Sequence, residues 1–189
     1  MFLLVGLGNP GSKYADNRHN IGFKAILEIQ DRFNFSAFTS KYQGQYTSGT
    51  IAGHKVHLLM PQTYMNKSGH SVAELARFYR IKPENIIVFH DELDIDPLKV
   101  KMKIGGGEGG HNGLKSISSC IGSKNYQRIR LGVGHPGDKN EVANYVLKDF
   151  PKDQATKYED ILYYVSKTVP TLLNDGISKA SNELALLLK

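Results

Sequence analysis

The 189-residue sequence predicts an α/β fold in one domain, with a mixed twisted sheet and helices on both faces of the sheet. Short apolar runs typical of buried strands alternate along the chain with stretches whose apolar residues recur at helical spacing. The length suits one hydrophobic core. Hydrophobic residues make up 40% and charged residues 22% of the chain, as in ordinary globular proteins, so we expect residues 1–189 to form one domain.

The first third of the chain predicts a strand, a long loop, a helix and a hairpin. These elements are a strand at residues 2–5, a turn-rich loop at 6–18, a helix with Ile26, Ile29 and Phe33 on one stripe, and two strands at 46–51 and 55–60 around Ala52-Gly53. Such an order places a long loop directly after the first strand.

The second helix is predicted from a capping pattern. Ser71 to Glu74 matches the capping box, and Val72, Leu75, Ala76 and Tyr79 lie at the spacing of an amphipathic helix. Met65 and Asn66 therefore fall at a strand-to-helix junction.

A continuous apolar run, Ile86 to Phe89, suits a central strand and leads directly into the acidic segment His90 to Asp94. Acidic residues at the end of a central strand indicate a functional site.

Two later strands carry basic residues on alternate positions. Leu98, Val100, Met102 and Ile104 alternate with three lysines, and Ile129, Leu131 and Val133 alternate with Arg128 and Arg130. Because successive side chains of a strand point to opposite faces, each strand is expected to have one basic face. Lys and Arg outnumber Asp and Glu by 24 to 18, which favours a polyanionic partner such as nucleic acid.

The remainder of the chain, from Glu141 onward, predicts helices. One helix has Tyr158, Ile161, Leu162 and Val165 on a stripe, a break is expected at Pro170, and a last helix carries Ile177, Ala180, Leu184 and Leu187.

Two glycine-rich segments, Gly6 to Gly11 and residues 105–113, could each form a ligand-binding loop. Gly6 to Gly11 matches the G-x-G-x-x-G dinucleotide pattern, but its third glycine does not open a helix, so a turn that presents Asn9 is favoured. Residues 105–113 are too rich in glycine for a helix or strand, and they lack the spacing of a P-loop. Because His111 and Asn112 lie in the middle of this segment, we interpret it as a ligand-binding loop rather than a flexible connector.

Three histidines, His19, His90 and His111, lie beside loop signals and near an Asn or Asp. The chain has no H-E-x-x-H pair, no EF-hand pattern and no G-x-S-x-G elbow, which disfavours a metal site and a serine triad. A histidine–carboxylate pair that acts on water remains, together with side-chain amides that can donate to an oxyanion.

The single cysteine, Cys120, cannot form an internal disulfide, and no signal peptide or membrane-spanning run is recognised. We therefore expect a cytoplasmic protein that does not associate with membranes.

Six blocks of sequence together resemble the bacterial-type peptidyl-tRNA hydrolase family. They are VGLGNPG at 5–11, NRHNIGF at 17–23, PQTYMNKSG at 61–69, HDELD at 90–94, GGHNGLKS at 109–116 and RIRLGVGHPGD at 128–138. Their number and order make the resemblance specific over most of the chain, although the last 40 or so residues carry no motif.

The resemblance implies a metal-independent and cofactor-independent hydrolysis of the ester between a peptide and tRNA. It implies that His19 accepts a proton from water, that Asp91 orients His19, and that Asn9 separates N-blocked from unblocked aminoacyl-tRNA. The implied substrate contacts are Tyr14, Tyr64, Met65, Asn66 and Asn112, and the implied phosphate contacts are Lys103, Arg130 and Lys139. The partner would be the acceptor end of peptidyl-tRNA, with its 3′ CCA and 5′ phosphate, bound by a monomer.

Two other classes of protein remain compatible with parts of the pattern. A non-enzymatic RNA-binding module would explain the basic strand faces, and a nucleotide-binding oxidoreductase would explain the glycine match. Release of free tRNA from peptidyl-tRNA separates these classes from a hydrolase.

Overall fold

The computed structural model describes all residues 1–189, and seven strands form one sheet. The strands are β1 (Phe2–Gly6), β2 (Thr39–Lys41), β3 (Gly44–Ile51), β4 (His54–Pro61), β5 (Ile86–Glu92), β6 (Val100–Ile104) and β7 (Gln127–Gly132). The helices are α1 (Ile21–Arg32), α2 (Ser68–Tyr79), α3 (Asn112–Ile121), α4 (Val142–Val146), α5 (Lys152–Asp175) and α6 (Ile177–Leu187).

The sheet is mixed, with strand order β2-β3-β4-β1-β5-β7-β6. The four central strands β4, β1, β5 and β7 are parallel, whereas β2, β3 and β6 pair antiparallel at the two sides. Ligands of such sheets bind beyond the carboxyl ends of the parallel strands, which is where the loops after β1, β4 and β5 meet.

Hydrophobic cores cover both faces of the sheet. Alternate residues of β1 point to opposite sides, so Leu4 joins the core under α1, α5 and α6, while Leu3 and Val5 join the core under α2 and α3. Because both faces are covered, the central strands are continuous apolar runs. The predicted α/β fold with helices on both faces is confirmed.

Backbone packing brings the start of α1 against the ends of β1 and β5. A Cβ atom on Gly6 would lie 2.1 Å from the Gly22 carbonyl oxygen, and one on Gly22 would lie 2.4 Å from the Phe89 carbonyl oxygen. Only glycine permits this approach at both positions. The turn before α1 is therefore fixed at the carboxyl end of β5.

The predicted capping of α2 by Ser71 is wrong. The helix begins at Ser68, and the Ser71 hydroxyl donates to the Tyr42 carbonyl oxygen at 2.6 Å. Serine at this position satisfies a buried carbonyl of the neighbouring strand connection instead of a helix N-terminus.

The predicted helix break at Pro170 is also wrong. Pro170 lies inside α5, which ends at Asp175 before Gly176, whose φ of 92° favours glycine. A proline in a helix interior costs about 3 kcal/mol or more. Burial of Val169 and Leu172 on both sides of Pro170 opposes that cost, so the helix continues through it.

The basic face predicted for β7 is only half correct. Arg128 is completely buried, and its guanidinium donates to the carbonyl oxygens of Gly106, Gly107 and Lys124. The loop after β6 covers this part of the strand, so only Arg130 remains partly exposed.

Among the helices, none combines the length and the apolar character that a bilayer crossing requires.

Candidate active site

The turn that carries His19 is tied to the loop after β1. A short 3₁₀ turn, Arg18–Asn20, leads into α1. The Asn20 side chain accepts from the Asn9 backbone N–H and donates to the Asn9 carbonyl oxygen, both at 2.9 Å. This reciprocal pair fixes His19 and Asn9 relative to each other, because both polar groups of the Asn9 backbone are bound by one side chain.

Asp91 lies near the end of β5 and is almost fully buried between two imidazoles. Its Oδ2 atom is 2.8 Å from Nδ1 of His19, and its Oδ1 atom is 2.8 Å from Nε2 of His111. The carboxylate therefore joins the turn before α1 to the residue before α3.

The backbone around His111 determines which nitrogens carry protons. Nδ1 of His111 caps α3 by accepting from the N–H groups of Gly113 at 3.1 Å and Leu114 at 3.4 Å. In a neutral ring the other nitrogen, Nε2, is then protonated and donates to Asp91. An ionised Asp91 can only accept, so Nδ1 of His19 donates to it, and Nε2 of His19 keeps a free lone pair.

Burial and charge act in opposite directions on this pair. Burial would raise the pKa of Asp91, but the facing imidazoles of His19 and His111 hold that pKa well below its usual range. Burial would lower the pKa of His19, but the charge and hydrogen bond of Asp91 raise it above its usual value. Asp91 is therefore ionised at neutral pH and stabilises the protonated form of His19.

The neighbouring His90 lacks this carboxylate contact. Its ring is buried, and its Nδ1 atom lies 2.8 Å from the backbone carbonyl oxygen of Asp91. Burial, with a smaller effect of the charge on His111, lowers the pKa of His90 to about 3. His90 is thus a neutral, structural histidine at neutral pH.

A cavity of about 490 Å³ opens above the His19–Asp91 pair. Eight of the sequence-predicted residues line it: Asn9, His19, Tyr64, Met65, Asn66, Asp91, Asn112 and Lys139. Oδ1 of Asn9 accepts from the Met65 N–H at 2.9 Å, so the Asn9 amide NH₂ is left as a donor at the cavity wall. One wall is apolar and comes from Leu93 together with Val142, Val146 and Leu147 of the α4 region.

Tyr14 does not join this group. It lies in the short turn Ser12–Tyr14, half-buried, and is absent from the cavity lining. The structure thus separates Tyr14 from the other residues of the predicted substrate contacts.

A second cavity of about 270 Å³ adjoins the first and contains Lys103 and Arg130. The two cavities share Glu92 and Gly109 in their walls. Lys139, the third predicted phosphate contact, lies in the first cavity instead. Glu92, Asp94 and Glu108 also line the second cavity, so its charge is mixed rather than purely basic.

The sequence assigns no role to His111, although it predicts that the glycine-rich segment around His111 is a ligand-binding loop. Its position beside Asn112 was the available signal. The apolar wall from the α4 region had no sequence signal, because ordinary aliphatic residues in a short helix are typical of any core.

The ligand atoms of His19, Asp91 and His111 lie within 4.8 Å of one another, and these residue types also bind zinc. In this arrangement, however, each imidazole is directed at a different carboxylate oxygen at hydrogen-bond distance. A metal ion would have to replace both hydrogen bonds, so the geometry favours proton transfer over metal binding.

Comparison with known proteins identifies similar chains over nearly the full length. The profile of a family described as peptidyl-tRNA hydrolase matches residues 3–188. A peptidyl-tRNA hydrolase of Ruegeria sp. (strain TM1040) is 51% identical over 98% of this chain and 75% of its own length, and one of Zymomonas mobilis is 45% identical over 98% of both chains. The crystal structure of the enzyme from Acinetobacter baumannii is 41% identical, with a TM-score of 0.92, over 97% of this chain and 94% of that chain.

Proposed function

This chain belongs to the peptidyl-tRNA hydrolase family, and we propose that it hydrolyses the ester between a peptide, or another N-blocked aminoacyl group, and the 3′ end of tRNA. One observation carries the mechanism: His111, Asp91 and His19 form a hydrogen-bonded series at the wall of the cavity. We infer from this series that Nε2 of the neutral His19 ring is unprotonated.

In the proposed reaction, Nε2 of His19 removes a proton from water as the water oxygen attacks the ester carbonyl carbon. The carbonyl oxygen becomes an oxyanion in a tetrahedral intermediate. The intermediate collapses with cleavage of the bond to the ribose 3′ oxygen, and protonated His19 returns its proton to that oxygen. Asp91 stabilises the imidazolium during the interval between the two proton transfers.

Side-chain amides can bind the substrate without burying an unpaired charge. Asn9, Asn66 and Asn112 line the same cavity as His19. We propose that Asn66 and Asn112 hold the ester and the peptide backbone, and that the free NH₂ of Asn9 recognises the N-blocked group. Neutral donors are suited to both tasks because they stabilise an oxyanion and bind peptide carbonyls.

Tyr64 and the apolar wall are proposed to contact the peptide side chains. Tyr64 is 66% exposed, and it lines the same cavity as Leu93, Val146 and Leu147. Apolar surfaces of this kind bind by burying apolar surface area and not by hydrogen bonds of fixed direction. This mode of binding suits a substrate whose side chains vary. The backbone N–H of Met65 orients the Asn9 side chain. Any contact of Tyr14 with the substrate would lie outside this cavity.

Lys103 and Arg130 are proposed to bind the 5′ phosphate of the tRNA acceptor end, with Lys139 near the 3′ CCA in the first cavity. Contacts to phosphates carry no sequence information, which suits a hydrolase that accepts many tRNAs. We further propose that the enzyme acts as a monomer in the cytoplasm, and that it needs neither a cofactor nor a metal ion.

The direct test is incubation of the purified protein with N-acetyl-aminoacyl-tRNA and with the unblocked aminoacyl-tRNA, scored for free tRNA. Rapid release from the blocked substrate alone is expected. Binding of tRNA without release would instead indicate an RNA-binding module, and equal release from both substrates would contradict the role of Asn9.

A further inference from the structure

One buried side chain holds the glycine loop, which we define as residues 105–110. Arg128 of β7 is completely buried beneath the loop, and its guanidinium donates to the carbonyl oxygens of Gly106 and Gly107. A third bond, at 3.2 Å, reaches the Lys124 carbonyl oxygen. The several N–H donors of a guanidinium lie in one plane, so a single arginine can fix three carbonyl groups at once.

The glycine loop has few other means of keeping its position. Five of its six residues are glycines, which have no side chains to pack. Gly106 and Gly109 have φ values of 94° and 57°, so other residues would be strained there. The Gly105 N–H bonds to the Tyr126 carbonyl oxygen at 3.0 Å, and the Glu108 carboxylate lies 3.7 Å from Nζ of Lys124. Between these two contacts, Gly106 and Gly107 are held by Arg128.

The other end of the glycine loop leads directly to the predicted catalytic pair. The His111 N–H donates to the Glu108 carbonyl oxygen at 2.9 Å, and Nε2 of His111 lies 2.8 Å from Asp91. The His111 ring also accepts from the first N–H groups of α3, so it lies between that helix and Asp91, which in turn contacts His19. The glycine loop determines where the chain enters α3, and a shift of the loop would therefore move the ring relative to Asp91.

We propose that Arg128 is a positioning residue for hydrolysis: by holding the glycine loop, it keeps His111 against Asp91 and so keeps His19 in its basic tautomer and orientation. This inference rests on the proposed function. It differs from the proposed role of Arg130, which lies two residues away on the same strand but is partly exposed in the second cavity.

The charge environment of Arg128 fits a fixed, internal role. Glu108 lines the same cavity as Arg128, and its side chain is 15% exposed. A buried cation that is hydrogen-bonded and close to a carboxylate is tolerated, whereas an unpaired one is costly. Three N–H groups of Arg128 donate to protein carbonyls, and its Nε–H has no partner. Because the side chain is completely buried, Arg128 does not present these donors to a phosphate as the partly exposed Lys103 and Arg130 do.

The experiment compares Arg128→Lys with Arg130→Ala on N-acetyl-aminoacyl-tRNA that carries or lacks its 5′ phosphate. Lysine keeps the charge but offers one nitrogen in place of the planar fork. We expect Arg128→Lys to lower kcat by up to about 100-fold on both substrates, the loss that a displacement of about 1 Å causes. Arg130→Ala should raise KM on the phosphorylated substrate and have little effect on the other.

The pH profile provides a readout that a purely structural role would not change. Without the His111 hydrogen bond, Asp91 would interact more strongly with protonated His19, so the acid limb of kcat/KM should move to higher pH in Arg128→Lys. An unchanged kcat and an unchanged acid limb in the folded variant would overturn the proposal. A defect seen only with the 5′-phosphorylated substrate would also overturn it, because Arg128 would then act on phosphate.

Two further variants keep the test decisive. Tyr126→Leu serves if Arg128→Lys does not fold, because it removes the ring that lies 4.5 Å from the Arg128 guanidinium. It also removes the hydroxyl that bonds to Ser118 and to the Leu114 carbonyl oxygen of α3, so its control is Tyr126→Phe, which keeps the ring and lacks the hydroxyl. A lower kcat in Tyr126→Leu than in Tyr126→Phe supports the proposal, and equal kcat values contradict it. If the wild type released no tRNA, the proposed function itself would fail.

Discussion

The two adjoining cavities differ in how their polar groups are bound. In the first cavity, Asp91 accepts from two imidazoles and Oδ1 of Asn9 accepts from a backbone N–H, so these groups are oriented before any substrate arrives. In the second cavity, Lys103 and Arg130 form no ion pair or hydrogen bond with a protein partner. The difference supports the proposal that the fixed groups of the first cavity carry out the chemical step and that the free cations of the second cavity bind the tRNA.

The comparison predicts that substitutions in the first cavity mainly lower kcat, whereas substitutions of the cations in the second cavity mainly raise KM. Preorganised groups act mainly in the transition state and should affect kcat, because their orientation costs nothing when the reaction occurs. Free cations on a polyelectrolyte ligand should affect KM and its salt dependence.

The largest effect is expected for His19→Ala. Loss of a general base typically lowers the rate by about 10²- to 10⁴-fold, and this change removes no phosphate contact. Single-turnover rates with N-acetyl-aminoacyl-tRNA, and tRNA affinity by filter binding, measure the two quantities. If His19→Ala kept half of the wild-type rate, or lost tRNA affinity by the same factor as rate, the proposed division between catalytic groups and tRNA-binding groups would be contradicted.

Asp91→Asn should have the next largest effect. An amide cannot accept from both imidazoles through two oxygens, and its neutral charge removes the stabilisation of protonated His19. We expect kcat to fall by roughly 10- to 10³-fold, less than for His19→Ala because the base remains.

The same variant should change the pH profile in a defined direction. In the wild type the pKa of His19 is raised above its model-peptide value of about 6.5, so kcat/KM should fall with decreasing pH already above that value. In Asp91→Asn the acid limb should move to lower pH. An acid limb in the same position in both proteins would contradict the assigned cause of the pKa shift.

Lys103→Ala and Arg130→Ala should have smaller effects that are confined to binding. Each should weaken binding of every elongator tRNA by a similar factor and flatten the dependence of log affinity on log salt by roughly 0.7 to 0.9. The measurement is KM over a salt series for tRNA with and without the 5′ phosphate. If wild type and variants respond equally to phosphate removal, the two residues do not bind that phosphate. Lys101→Ala provides the control, because Lys101 is an exposed lysine of the same edge strand that does not line the second cavity.

No effect is expected from removal of metal ions. The His19–Asp91–His111 series is proposed to act through hydrogen bonds, so activity should survive exhaustive EDTA treatment followed by gel filtration. Loss of activity that zinc alone restores would instead assign these three residues as metal ligands.

The sequence predicted the regular parts of the fold because they follow from local rules. The apolar run at 86–89 is the central part of β5, and the hairpin around Ala52-Gly53 is present as β3 and β4. These elements follow from periodicity and from short segments at strand ends, which need no knowledge of distant contacts. The residues Asn9, His19 and Asp91 came from the family resemblance, and all three line one cavity.

The wrong predictions all depended on tertiary partners. Ser71 bonds to the carbonyl of Tyr42, 29 positions away along the chain, and Pro170 is tolerated because α5 is buried along its length. Arg128 and Arg130 are two positions apart on β7 and therefore lie on the same face of the strand. The glycine loop nevertheless covers Arg128 and leaves Arg130 partly exposed. Neither the alternation of apolar and basic residues nor the composition of the chain predicts which part of a strand face is covered by a loop.

The central claim is that His19 presents a free Nε2 atom because Asp91 binds its Nδ1–H. Nitrogen-15 NMR of the imidazole rings in the uniformly labelled protein, at a pH above the His19 pKa, tests this claim directly. The account predicts opposite tautomers in the two rings, with the proton on Nδ1 in His19 and on Nε2 in His111. A His19 ring protonated on Nε2 at that pH would contradict it.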